Sequence, residues 1–193
     1  MIYLRLGAAI AGLLIACGSA SPSLADSLAV VSINPGSSSV NVGDTFTLDV
    51  NISNVTDLYG FQFDLNLGPG VVSAVSITEG AFLAGGGETF FIPGTIDNTV
   101  GTIASTANAL LGPGPGVDGG GTLAILTLTG LSPGASSIDL SNVFLLDSQL
   151  NWISFDLQGG SVFVAPGVVA TSEPSSLALL LASVGILVFF RRR

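Results

Sequence analysis

Polar and apolar residues alternate along the middle of the chain with a period of two. In the run Phe46 to Ile52, Phe46, Leu48, Val50 and Ile52 fall on one face, and Asp49 and Asn51 fall on the other. The run Phe61 to Leu67 repeats the pattern, with Phe61, Phe63 and Leu65 set against Gln62 and Asp64. Alternation of this kind puts one face on a core and leaves the other to water or hydrogen bonds, so both runs predict half-buried strands. Leu123 to Leu128 is more continuously apolar, as at a sandwich centre, and places Leu123, Ile125 and Leu128 in the core. Further strands are predicted over Leu28–Ile33, Val71–Ile77, Thr89–Ile92, Val100–Ala107, Ser137–Leu146, Asn151–Leu157 and Ser161–Val164. Turn signals separate them at Asn34-Pro35-Gly36, Val42-Gly43-Asp44, Gly68-Pro69-Gly70, Ser132-Pro133-Gly134 and Gln158-Gly159-Gly160. Nine or ten short strands at this spacing, with no long helical pattern between them, predict an all-β antiparallel sandwich.

Two glycine-rich stretches, Gly85-Gly86-Gly87 and Gly112 to Gly121, are predicted as flexible or extended loops. The second is no phosphate cradle, since it lacks the Lys and Ser/Thr such a loop needs and leads into a strand rather than a helix.

The pattern changes at both ends. Arg5 precedes an apolar run from Leu6 to Ala16, and Ser23-Leu24-Ala25 follows with small residues at a cleavage position. This is the layout of a signal peptide, residues 1–25, with the cut before Asp26. Leu14-Ile15-Ala16-Cys17 also reads as a lipoprotein box, so lipidation of Cys17 is the competing reading. Cys17 is the one cysteine, and the body after Ala25 has neither a disulfide nor a cysteine metal site. At the other end, after a linker at 167–172, Glu173-Pro174-Ser175-Ser176 leads into the apolar run Leu177–Phe190 and then Arg191, Arg192 and Arg193. As a helix this segment is about 24 Å long, a marginal membrane span. The Arg cluster would anchor it on the cytoplasmic side and leave the body outside.

Between Leu6 and Phe190 there is no Lys, Arg or His. The body, residues 26–166, carries twelve of the thirteen acidic residues and nothing to pair with them. It is one domain by size. Its charge argues against nucleic acid and anionic membrane surfaces. A Ser-His-Asp triad, a Schiff base and an Arg phosphate clamp are all out of reach. Carboxylate chemistry remains, but Asp44, Asp57, Asp97, Asp118 and Asp147 sit at turns, where solvated side chains are expected, and the chain is read as non-enzymatic. No cofactor is predicted. Asp97, Asn98 and Asp147 are the candidate oxygen ligands for Ca²⁺. Tyr59 and Trp152 are candidate glycan contacts, the other reading of Trp152 being a core or rim position in a late strand. Of Phe90 and Phe91, adjacent in a strand, one should face outward.

The tail resembles the PEP-CTERM sorting signal of Gram-negative bacteria, over Ser172, Glu173, Pro174, Ser175 and the helix and Arg cluster beyond. It departs from that pattern at Ser172, where Pro is usual. The resemblance implies an exosortase-type processing enzyme as a partner, transient inner-membrane anchoring, and release to the cell surface or extracellular matrix. Similar tails occur on some ice-binding proteins. The body resembles a cohesin-type domain of the carbohydrate-binding-module superfamily from about Val30 to Val164. The resemblance rests on Val42-Gly43-Asp44-Thr45-Phe46, the strand Tyr59 to Leu65, Gly80-Ala81-Phe82-Leu83, and Gly121-Thr122-Leu123-Ala124. It implies a jelly-roll-like sandwich without catalytic activity that docks a dockerin-like protein or attaches to polysaccharide. Three readings follow: a docking or adhesion module, a carbohydrate-binding module that retains exopolysaccharide, and an ice-binding or surface-active protein. The last would call for a regular array of outward Thr, which the sequence does not display.

Overall fold

The computed structural model describes residues 28–167. The chain runs β1 (Ala29–Asn34), β2 (Ser37–Asn41), β3 (Thr45–Leu58), β4 (Gly60–Leu67), β5 (Val72–Glu79) and α1 (Ala81–Ala84). It continues through β6 (Thr89–Ile92), β7 (Thr95–Asp97), β8 (Thr102–Leu110), β9 (Val117–Gly130), β10 (Gly134–Leu146), β11 (Phe155–Gln158) and β12 (Gly160–Ala165). One sheet has the order β11-β1-β3-β9-β5, and the other β2-β12-β10-β4-β8-β6, with β7 also beside β8. The two inner faces meet in one apolar core that includes Val31, Leu48, Val50, Phe63, Leu65, Leu126, Leu128 and Ile138. This is the all-β sandwich that the alternation predicts, in a jelly-roll arrangement.

The differences have local causes. Ile125 does not reach the core. Between the pairs Val50↔Ala124 and Asn51↔Thr122 the register shifts by one residue, so Leu123 and Ala124 both point inward. The alternation then resumes on even numbers and leaves Ile125 half-buried on the outer face. Phe46 is likewise half-buried, at the margin of the core. The last five residues of the second glycine-rich stretch, Val117 to Gly121, are strand rather than loop. Glycine suits them because β3 and α1 press close: a Cβ on Gly120 would lie 2.7 Å from the Ile52 oxygen, and one on Gly121 3.0 Å from the Phe82 ring. The sandwich is also not wholly antiparallel. The chain changes sheets at Pro35-Gly36 and again at Gly159, so β1 lies parallel to β11 and β2 parallel to β12. Among the described residues no helix is long and apolar enough to cross a membrane. The predicted signal peptide, with Cys17, and the tail from Ser172 to Arg193 lie outside the described residues.

Candidate functional site

The outer face of the larger sheet carries a groove of about 280 Å³. Its form follows from the strand register. Gly60 of β4 pairs with Leu146 of β10 on one side and Ala109 of β8 on the other, and Ala109 pairs with Phe90 of β6. One row further, Gln62 pairs with Phe144 and Ala107, and Ala107 with Ile92. Small residues on β4 and β8 thus form a floor, and large apolar side chains on β6 and β10 form two walls. Phe90 is 61 % exposed, and Ile92 and Phe144 are also exposed. Phe91, between the first two, turns inward against the core. Trp152, 68 % exposed, stands behind Phe144 in an edge-to-face contact with ring centroids 5.1 Å apart. An isolated bridge to Leu146 holds it there, since β11 begins only at Phe155.

Hydrogen bonds fix the walls. The carboxylate of Glu79 on β5 accepts from the Thr89 hydroxyl, which tethers β6, and from the Asn108 amide at 2.8 Å. Below the groove, Asp64 accepts from the Ser105 backbone N–H and from the Asn142 amide, each at 2.6 Å. Ser105 and Asn142 both have positive φ and mark the bulges of β8 and β10. One carboxylate on the central strand therefore pins the irregularities on both sides of it. Neither role is visible without the register.

Tyr59 and Trp152 do not form a common platform. The Tyr59 ring packs against the core and its hydroxyl donates to the Gly112 carbonyl, lining a separate cavity with Gly86, Leu110 and Pro113. Trp152 stands on the outer face beside the groove. The candidate calcium ligands are separated as well. Asp97 accepts from the N–H groups of Thr99 and Val100 at one end of the larger sheet, and Asp147 accepts from Gln149 and Asn151 at the other. The Asn98 side chain is bound instead to the edge of β5: its oxygen accepts from Ala74 N–H at 2.8 Å and its nitrogen donates to Ala74 C=O at 3.0 Å. Among the described residues no set of three or more His, Cys, Asp or Glu side chains is placed to hold a metal ion.

Asp57 joins three segments by accepting from Gly116 N–H and from the Ser148 hydroxyl and N–H. The Ser148 hydroxyl, then Gly116, hold its carboxyl below the ordinary value of 3.8. The Asn151 amide and backbone N–H do the same for Asp147.

The smaller sheet has a different outer face. Thr45, Thr129 and Ser73 lie in one row across β3, β9 and β5, and Thr47, Thr127 and Ser76 in the next. The hydroxyls of Thr45 and Thr129 are 3.2 Å apart. Two short rows of Thr and Ser hydroxyls therefore lie side by side, assembled from three strands that are distant in sequence, and the next row, Asp49, Ile125 and Thr78, ends them.

The fold and the groove define a two-sheet sandwich that displays an apolar, aromatic-walled surface on one face. The model of the cohesin domain matches residues 31–152, and the chain belongs to that family. Solved cohesins share the fold. A non-cellulosomal cohesin of the archaeon Archaeoglobus fulgidus is 13 % identical over 72 % of this chain and 92 % of its own, with a TM-score of 0.57. The third ScaC cohesin of Acetivibrio cellulolyticus, solved in complex with a dockerin, is 18 % identical over 71 % and 99 %, with a TM-score of 0.59. A Clostridium thermocellum cohesin, also solved with its dockerin, is 15 % identical over 72 % and 95 %, with a TM-score of 0.58. No curated protein sequence matches the chain.

Proposed function

We propose that this chain is a non-enzymatic docking module, exported and sorted by its tail to the cell surface or extracellular matrix of a Gram-negative bacterium. The observation that carries the reading is the exposed apolar cluster of Phe90, Ile92, Phe144 and Trp152 around the groove. A soluble domain leaves such aromatics in water at a cost that a partner removes, and buried aromatics dominate binding energies at interfaces. Family membership supports a dockerin-like protein as the partner, since relatives are solved in complex with dockerins. The test is binding to a panel of dockerin modules by titration calorimetry. Phe144→Ala with Trp152→Ala should lose at least about 30-fold in affinity, the scale of an interface anchor, with an unchanged melting temperature. Undiminished binding by the double variant would remove the groove from the reading.

Sorting rests on Ser172, Glu173, Pro174 and Ser175, with Arg191 to Arg193 holding the helix until an exosortase-type enzyme cuts it. Pro174 keeps the residue before it extended, a form that a protease can grip. Replacing Glu173 and Pro174 with Ala should leave full-length protein in the membrane fraction, and secreted protein still carrying Arg193 would contradict processing. The exposure of Trp152 favours a second reading, sugar stacking, in which Trp152→Ala alone would abolish retention on exopolysaccharide. The two rows of Thr and Ser hydroxyls around Thr47 and Thr127 are the part of the smaller sheet nearest to the Thr array that the ice-binding reading calls for. Loss of ice-recrystallisation inhibition in Thr47→Tyr would support it.

A further inference from the structure

The surroundings of the groove carry charge of one sign only, and this restricts its occupant. Beyond the row of Gln62, Phe144 and Ile92 the same face continues to Asp64. One row further it reaches the line Asp139–Asn66–Thr102–Asp97 across β10, β4, β8 and β7. That line lies about 13 Å from the groove along the strands. Asp97 and Asp139 are both exposed. Three carboxylates therefore lie below one end of the groove, Glu88 and Asp147 lie at the other, next to Phe90 and Leu146, and no Lys, Arg or His exists among the described residues to neutralise them.

An uncompensated patch of one sign steers an oppositely charged partner and repels a like one. A second copy of this domain would bring only further carboxylates to the face. From this charge pattern we infer that the partner is a protein segment whose apolar side chains fill the groove and whose Lys or Arg residues flank them, above Asp64, Asp97 and Asp139 at one end and beside Glu88 at the other. The inference rests on the docking reading and adds the partner's charge to it.

Peptide-display selection against the immobilised full chain tests it, with the selected peptides as probes. The expected result is a set of peptides with an apolar core flanked by Lys or Arg. Their affinity should fall roughly fivefold or more in the Asp97→Asn/Asp139→Asn variant, and this difference should shrink in high salt. Asp64 is left intact because it holds the two bulges, and Asn keeps the turn-capping oxygen at position 97. Groove-binding peptides without basic residues, equally tight on both proteins, would overturn the charge inference and leave the docking reading standing. Failure to select any peptide whose binding is lost on Phe90→Ser with Phe144→Ser would remove the docking reading itself. Dimerisation of the full chain that the same pair of substitutions abolishes would make the occupant a second copy and would also overturn the inference.

Discussion

Replacing Asn98 tests how the open edge of the smaller sheet is closed. Strand β5 is an edge strand, and its ladder to β9 breaks between Ala74 and Ser76. There the Asn98 amide acts as a short strand of its own, giving and taking one hydrogen bond with the backbone of Ala74, which is 5 % exposed. Each such bond contributes about 0.5–1.5 kcal/mol net, so Asn98→Ala should cost about 1–3 kcal/mol. For a domain of this size that is a fall of roughly 4–10 °C in melting temperature. Asn98→Asp sharpens the test because it is nearly isosteric. Its carboxylate still accepts from Ala74 N–H but cannot donate to Ala74 C=O, and only the protonated acid restores the donor. The folded state thus raises the pKa of the new acid. The protonated form's contribution is complete below the unfolded value of about 4 and is lost as pH rises through the folded value. Urea unfolding followed by circular dichroism should show the deficit of Asn98→Asp at neutral pH and its narrowing against the parent below about pH 4. Chelator should leave both deficits unchanged if the role is hydrogen bonding rather than calcium ligation. An Asn98→Ala protein within about 0.5 kcal/mol of the parent, the scatter of ordinary surface changes, would refute the argument.

Two further outcomes follow from the packing and the carboxylates. Gly80→Ala would place a Cβ 2.2 Å from the Thr122 oxygen, so β5 and β9 must part locally. A loss of about 1–3 kcal/mol is expected in chemical denaturation, and an unaffected midpoint would mean the approach is looser than described. The lowered pKa values of Asp57 and Asp147 contribute stability that is complete above 3.8 and lost as pH falls through their folded values. The urea midpoint should therefore drop below about pH 4, and less steeply in Asp57→Asn/Asp147→Asn. Parallel pH profiles for parent and variant would count against these two groups.

The strands with apolar alternation were legible in the sequence because one buried face imposes a period of two. Strand β2, Ser37–Asn41, escaped because it is polar, and β7 because it has three residues. Ile125 was misplaced because a single inserted residue at Leu123 reverses the parity of all that follows. The acidic, base-free body and the outward placement of one of Phe90 and Phe91 could be read directly. The groove could not, since its floor and walls come from four strands between Gly60 and Leu146 and only register brings them together. The same holds for the hydroxyl rows on the smaller sheet, for Asp64 between its two bulges, and for Asn98, whose partner is a backbone 24 positions away.

The two parallel pairs give the molecule a direction. Because β12 runs alongside β2 and against β10, Ala165 ends beside Asn41 and near Gly134. Leu146 and Trp152 lie at the far end of β10, roughly 40 Å away for a strand of thirteen residues. The described chain leaves from Gly167, against Val42. Gly167 therefore marks the pole opposite Trp152. A domain tethered there would carry Trp152 and Phe144 on the flank of its distal end, within reach of partners that never approach the attachment point.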